Sequence, residues 1–122
     1  MIVEGNSVQG GGSSVSVDGV GKYSVPVAVL VDDGTGSSGE MTMLAFRGLE
    51  NSRSFGEPTA GYTSANTVFD MPDGAQVMIT VAQVRDRTGH VFNDTPVRPD
   101  MPTNGDPTDA AKHWLLTEHN CT

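Results

Sequence analysis

A serine stands where a strongly apolar segment gives way to a helical pattern. Residues 35–40 are Thr-Gly-Ser-Ser-Gly-Glu, and Ser37 opens the helical pattern. A hydroxyl held out from a sharp strand-to-helix turn can attack a carbonyl carbon, and the N–H groups at the helix start favour the negative charge that then develops. Gly36 and Gly39 leave room for a substrate, and the backbone N–H of Ser38 is the expected oxyanion donor. This pattern suits acyl transfer through Ser37.

Two other interpretations of the same stretch need to be weighed. Ser37 and Glu40 have the spacing of a capping box, in which the serine hydroxyl only satisfies a free helix N–H. Gly34 and Gly39 have the glycine spacing of a phosphate-binding loop, but Glu40 stands where that loop requires lysine. The reversed charge excludes phosphate binding, whereas local pattern alone leaves the cap and the nucleophile both open.

The elements around Ser37 follow from the apolar pattern. Residues 25–31 form a continuous, β-branched run, which predicts a strand buried on both faces, with Pro26 near its start. Residues 32–36 predict a tight turn, and a helix is expected over residues 37–49. Its apolar positions recur at helical spacing: Met41, Leu44, Ala45 and Leu49. The local order is therefore strand, turn, helix.

The rest of the chain predicts further strands and a final helix. Residues 52–57 suit a short strand, residues 58–65 a loop, and residues 67–71 and 76–84 a hairpin around the Pro-Asp-Gly-Ala turn at 72–75. In the last helix we expect Asp106 as a cap and Pro107 in the first turn. Its apolar stripe is Ala110, Ala111, Trp114 and Leu115.

Four motifs along the chain occur in the order and spacing of a known family. They are Thr-x-Ser-x-x-Glu at 35–40, Gly-Glu-x-Thr-x-Gly at 56–61, Met-Pro-Asp-Gly at 71–74 and Pro-Asp at 99–100. With them, the segment from about residue 26 to 100 resembles the catalytic domain of the C-terminal processing (tail-specific) serine peptidases and their tricorn-like relatives. The resemblance implies an α/β fold of the Clp protease/crotonase-like ββα type, present in part. It also implies peptide-bond hydrolysis with Ser37 as the nucleophile.

At the position of the general base, this sequence differs from one branch of that family. Members with a Ser-Lys dyad carry the lysine directly after the last glycine of the second motif, where this chain has Tyr62 after Gly61. A tyrosine, with an ordinary pKa near 10, is poorly suited to replace it. The tricorn-like branch takes its base from an upstream histidine that these residues do not include. It adds a glutamate shortly before the Pro-Asp motif, and the matching place falls at Asn93-Asp94, where only Asp94 keeps the charge as a supporting acid.

The resemblance also locates the substrate side of the site. It places Gly36, Gly61 and Tyr62 next to the substrate, with Tyr62 close to the nucleophile. The family's second oxyanion donor comes from a glycine-rich upstream segment, which Gly10-Gly11-Gly12 does not match.

No cofactor or metal is expected from the sequence. His113 and His119 are six residues apart and so do not share a helix face, and neither a His pair at i, i+4 nor a Cys pair occurs. Asp32-Asp33 lacks the alternating oxygen ligands of a calcium loop and suits a turn before a helix. We expect all three histidines, including His90, to be surface residues.

Length and composition limit the number of domains and the classes of partner. The 122 residues suit one small domain, and 15 acids against 7 bases give a net charge of -8, which disfavours nucleic acid and anionic membranes as partners. No apolar run of membrane-spanning length and no secretory signal occurs, so localisation stays open. The lone Cys121 excludes an internal disulfide.

The domain and function hypotheses combine these observations. Residues 1–21, rich in Gly and Ser, predict a flexible lead-in, and residues 22–122 the C-terminal part of a catalytic domain. The leading hypothesis is a serine peptidase segment that acts on a peptide or protein, takes its base from outside these residues and is inactive in isolation. The alternative is a noncatalytic peptide-binding or assembly module on the same fold. A hydrophobic fraction of 36% predicts a thin core, and exposed apolar surface would favour a homo-oligomer.

Overall fold

The computed structural model describes residues 2–4, 7–10, 13–16 and 24–122. In the main part of the chain, one helix follows the first strand, five strands come next, and a second helix follows them. The elements are β1 (Ile2–Glu4), β2 (Ser7–Gly10), β3 (Ser13–Ser16), β4 (Val27–Val31), α1 (Ser38–Phe46), β5 (Ser52–Gly56), β6 (Ser64–Asp70), β7 (Gln76–Arg85), β8 (Val91–Phe92), β9 (Met101–Pro102) and α2 (Thr108–His119).

The first three strands lie in the segment for which no regular structure is expected. β1, β2 and β3 pair antiparallel in that order, with Val3 opposite Val8 and Val8 opposite Val15. The paired valines form one short apolar row across the three strands. The structure therefore differs from the predicted flexible lead-in at these positions, and the rest of residues 1–23, including Gly11 and Gly12, lies outside the described residues.

A parallel sheet in the order β4-β5-β9 carries α1 between its first two strands. Parallel neighbours need a crossover, and α1 supplies it because it starts seven residues after β4 ends and finishes before β5 begins. Val29 lies opposite Ser54 and Val31 opposite Gly56. The prediction of an α/β architecture is confirmed, as are the strand, turn and helix order around Ser37 and the C-terminal helix.

Apolar side chains pack in two clusters, one with α1 and one with α2. The first contains Val31, Met43, Leu44, Val84, Phe92 and Val97, with Val29 and Met41 packed against it. The second contains Phe55, Ala111 and Trp114, with Ala28 and Leu115. Successive residues of β4 point to opposite faces, so Ala28 and Val29 join different clusters. Leu30 is nevertheless 47% exposed, so the prediction of a strand buried on both faces is wrong at that position.

The predicted hairpin is present as β6 and β7, with β8 added beside β7. Gly74 has φ 87° in its turn, which glycine adopts without steric cost. β6 begins at Ser64, inside the residues expected to form a loop, because pairing continues past an irregularity between Ala65 and Asn66. A β-bulge of this kind interrupts the alternation from which a strand is predicted.

The turn between β7 and β8 depends on the buried carboxylate of Asp86. Its Oδ1 accepts hydrogen bonds from the Thr88 N–H (2.9 Å), the Thr88 hydroxyl (2.6 Å) and the His90 N–H (3.1 Å). Burial raises the pKa of Asp86, but these hydrogen bonds and the Arg47 charge outweigh it, so the pKa lies below its ordinary value.

Replacing Asp86 with alanine should destabilise the protein by about 1–2 kcal/mol at pH 7, because three donors lose their acceptor. A lowered folded-state pKa stabilises the protein above the unfolded value near 4, and this contribution is lost as pH falls through the folded value. Urea unfolding should therefore show the difference between wild type and Asp86→Ala at pH 7 and a smaller difference below pH 4. Asp73→Ala is the matched control, since exposed Asp73 accepts only the Ala75 N–H in a comparable turn. Equal losses for both variants would contradict the special role of Asp86.

Candidate active site

Ser37 occupies a strained turn immediately before α1. Its backbone has φ 49° and ψ -110°, a conformation that residues with a side chain rarely adopt. Its side chain is exposed. The Met41 N–H donates to the Ser37 carbonyl at 3.0 Å, so the helix hydrogen bonds start at this residue. Strain of this kind concentrates at functional sites, and here it presents a hydroxyl at the positive end of a helix.

The predicted capping box joins Ser37 and Glu40, but its serine half is the weaker one. Glu40 Oε2 accepts a hydrogen bond from the Ser37 N–H at 2.8 Å. The Ser37 side chain faces the Glu40 N–H as in a capping box, yet it forms no hydrogen bond of ordinary geometry with the helix. The carboxylate thus secures the turn, while the Ser37 hydroxyl, which can only accept from the helix N–H, keeps its proton for another partner.

The residues before Ser37 form a closed turn, as the sequence predicts. Asp32 Oδ1 accepts the Gly34 N–H at 2.9 Å, and the Thr35 N–H donates to the Asp32 carbonyl at 3.0 Å. The interpretation of Asp32 as a turn acid agrees with these contacts.

Glu40 is the centre of a polar network below the serine. It is completely buried, and its Oε1 accepts from the Thr59 hydroxyl at 2.5 Å and from the Gly61 N–H at 2.6 Å. Thr59 Oγ1 in turn accepts the Val97 N–H at 2.8 Å. The Glu40 carboxylate therefore joins the turn of Ser37 directly to the segment at residues 59–61. Through the Thr59 hydroxyl it is also connected to the segment at Val97.

The structure brings Gly36, Gly61 and Tyr62 to this turn. The Tyr62 ring lies against Gly36, where an added Cβ would meet Tyr62 Cδ2 at 3.0 Å. Gly61 has φ 96°, and a Cβ there would lie 2.9 Å from the Pro96 nitrogen, so glycine is needed for both reasons. Tyr62 itself is 67% exposed. An aromatic ring and a position without a side chain thus adjoin the serine.

Asp94 has a different partner from the one expected of a supporting acid. Its exposed carboxylate accepts a hydrogen bond from the Ser64 hydroxyl at 2.8 Å, at the start of β6. No hydrogen bond joins it to Ser37 in the part of the chain that the structure describes. The neighbouring Thr95 pairs with Thr63 through two hydrogen bonds, which places Asp94 beside the segment that follows Tyr62.

The histidine side chains make contacts elsewhere. The His90 ring packs against Phe92 with centroids 4.4 Å apart, and His119 packs against Trp114 at 4.6 Å. Among residues 24–122, neither these nor His113 hydrogen-bonds to Ser37, and no group of three His, Cys, Asp or Glu side chains is placed to hold a metal ion. The helices of the same part of the chain are too short or too polar to cross a bilayer.

Sequence reasoning named Glu40 as a capping residue and motif letter and Thr59 only as a motif letter, and it missed the contact between them. The spacing of Ser37 and Glu40 gives a local signal for the contact between them. The contacts of Glu40 with residues 59 and 61 join positions about twenty residues apart, and no periodicity encodes them. Only the motif at residues 56–61 marks that second segment as special.

Comparison with known proteins decides the family. The sequence model of "Peptidase family S41" matches residues 4–103. The chain belongs to peptidase family S41. The resemblance to C-terminal processing peptidases is thereby confirmed, and with it the description of the family as hydrolases and proteases.

Curated relatives of this S41 chain include two with named roles. It is 38% identical over 117 residues to the nisin-resistance protein of Lactococcus lactis subsp. lactis, a match that covers 95% of the chain and 36% of that protein. It is 34% identical over 79 residues to carboxyl-terminal-processing peptidase 2, chloroplastic, of Arabidopsis thaliana, covering 65% of the chain and 15% of that protein. The chain spans about a third or less of the length of these relatives.

Solved structures give the same picture for the S41 chain. A lipoprotein from Streptococcus agalactiae superposes with a TM-score of 0.71 at 42% identity, covering 79% of this chain and 33% of that one. The photosystem II D1 C-terminal processing protease superposes with a TM-score of 0.62 at 33% identity, covering 78% and 24%.

Proposed function

We propose that this S41 chain carries the nucleophile of a serine peptidase that hydrolyses peptide bonds in a peptide or protein. The observation that supports it most is Ser37 itself, an exposed hydroxyl on a strained turn at the start of α1. In the proposed reaction Ser37 Oγ attacks the scissile carbonyl carbon and its proton passes to a base. The Ser38 N–H donates to the oxygen that becomes negative, and the positive end of α1 favours the same charge.

The base in this proposal comes from outside these 122 residues. Tyr62 stands where the dyad branch has lysine, and the rings of His90 and His119 pack against Phe92 and Trp114. Relatives are about three times as long as the matched segment, so their remaining length has room for such a group. Asp94 would support that base, while Gly36 and Gly61 would line the substrate path.

The finer architecture belongs to the same proposal. The β4-α1-β5 crossover and the hairpin of β6 and β7 support a partial Clp protease/crotonase-like ββα fold. The division at residues 21 and 22 stays a prediction, as does the homo-oligomer. Exposed apolar side chains on one face of the hairpin, namely Phe69, Val77, Ile79 and Val81, are consistent with self-association.

The noncatalytic alternative draws its support from Tyr62. An exposed aromatic side chain in the place of a catalytic lysine suits a module that binds peptides without cleaving them. Activity separates the two functions, because only the peptidase requires a reactive serine.

The 122-residue chain alone should show no hydrolysis of a fluorogenic peptide library above the level of its Ser37→Ala variant, since a serine without its base keeps little reactivity. The full-length protein, by which we mean these residues joined to the upstream segment that the proposal requires, should hydrolyse at least one library member. If the 122-residue chain hydrolyses a peptide and Ser37→Ala abolishes this activity, the hypothesis that the base lies outside these residues is refuted. A full-length protein that binds peptides but neither cleaves them nor reacts with a fluorophosphonate would establish the noncatalytic module.

A further inference from the structure

Tyr62 combines high exposure with a closely held backbone. Its ring lies against Gly36, next to Ser37, and 67% of the residue remains accessible. Other large apolar side chains are also exposed, Met78 to the same extent, so it is the position of the Tyr62 ring beside Ser37 that distinguishes it.

The backbone on both sides of Tyr62 is fixed. The Gly61 N–H donates to buried Glu40, and the completely buried Thr63 hydroxyl accepts from the Thr95 N–H at 3.0 Å and donates to the Thr95 carbonyl at 3.1 Å. A rigid backbone with a free aromatic side chain offers contact area at low entropic cost, as binding surfaces use tyrosine. Tyr62 is therefore built to contact a partner.

We propose that Tyr62 is a specificity-determining residue that binds an apolar side chain of the peptide beside the scissile bond. This inference rests on the proposed function and deepens it by naming the class of side chain. One edge of the ring packs on Gly36 next to Ser37 and most of the remaining surface is accessible, so a peptide whose carbonyl lies at Ser37 can contact the ring. The exposed ring face is carbon, and it buries best against an aliphatic group.

Peptide binding measures this preference without requiring turnover. The probes are glycine-serine hexapeptides in which a single leucine is moved along the sequence, titrated by calorimetry into the full-length Ser37→Ala protein. Leucine at one position should tighten Kd about tenfold, the scale on which apolar pockets discriminate. Tyr62→Ala should remove that gain, and Tyr62→Phe should keep it because the ring remains.

Phe69→Ala provides the matched control, because Phe69 is also an exposed aromatic residue, 47% accessible, but lies on β6. It should leave the leucine preference unchanged. Three results would each overturn the inference. They are a leucine preference that Tyr62→Ala leaves unaltered, an equal loss of affinity for the leucine and the all-glycine-serine peptides in Tyr62→Ala, and the absence of a leucine preference in every variant. Fluorophosphonate labelling of Tyr62→Ala with Ser37 intact separates the two proposals. If Tyr62→Ala still reacts with the fluorophosphonate but has lost the leucine preference, both proposals are supported. If the protein shows a leucine preference that depends on Tyr62 but never reacts with the fluorophosphonate, only the peptidase function is refuted.

Discussion

Replacement of Ser37 by alanine should abolish labelling of the full-length protein by a fluorophosphonate and lower its peptide hydrolysis by at least about 10³-fold. The hydroxyl is the only group of this residue that can form the acyl intermediate, and the turn presents it to solvent at the start of α1. Losses of this size are typical when the nucleophile of a serine hydrolase is removed. Labelling is read by in-gel fluorescence, and hydrolysis by release of a fluorogenic product.

Ser38→Ala is the matched control for that result. The neighbouring serine contributes its backbone N–H to the proposed oxyanion site, and alanine retains this donor. Ser38→Ala should therefore label at a rate within a few-fold of wild type. Equal labelling of wild type and Ser37→Ala would refute the nucleophile assignment.

Stability distinguishes the nucleophile from the helix cap in the same variant. A serine cap typically contributes about 1 kcal/mol, which alanine removes. Because the Ser37 hydroxyl makes no hydrogen bond of ordinary geometry to α1, Ser37→Ala should unfold within about 0.5 kcal/mol of wild type in urea. A loss of the full capping energy would show that the hydroxyl stabilises the helix after all.

Local pattern was sufficient to predict the elements that carry Ser37. The apolar run, the glycine-rich turn and the helical spacing all lie within 25 consecutive residues, so neighbouring positions determine them. The hairpin followed in the same way, since its turn contains Pro-Asp-Gly between two strand-like runs. The ordered motifs, rather than the pattern, distinguished a nucleophile from a cap.

Contacts between distant segments were beyond the reach of the sequence. Asp94 was expected to support the site, but its hydrogen bond to Ser64 depends on how β6 begins, and the bulge hid that strand start. Leu30 is exposed on a strand that lies at the edge of a three-stranded sheet, whereas an unbroken apolar run predicts a central strand. The hydrogen-bond partner of Asp94 and the exposure of Leu30 both depend on tertiary neighbours that no local spacing records.

The buried carboxylate of Glu40 holds the site together. Its removal should cost more stability than any other substitution described above. Glu40→Ala should destabilise the protein by about 3–6 kcal/mol, because the Ser37 N–H, the Thr59 hydroxyl and the Gly61 N–H all lose their acceptor. Each buried donor left unpaired costs about 1–3 kcal/mol, with incomplete additivity. Urea unfolding followed by circular dichroism measures the loss. Glu50→Ala, at an exposed position after α1, should stay within about 0.5 kcal/mol of wild type.

Glu40→Gln tests positioning separately from folding. The amide keeps the size and one acceptor oxygen, but its NH₂ group must face a donor on one side of the network, either the Ser37 N–H or the pair from Thr59 and Gly61. We expect a smaller loss of stability than in Glu40→Ala and a fluorophosphonate labelling rate at least tenfold below wild type at a temperature where the variant remains folded. Wild-type labelling by folded Glu40→Gln would contradict the positioning role, because the strained conformation of Ser37 would then persist without the carboxylate that holds its N–H.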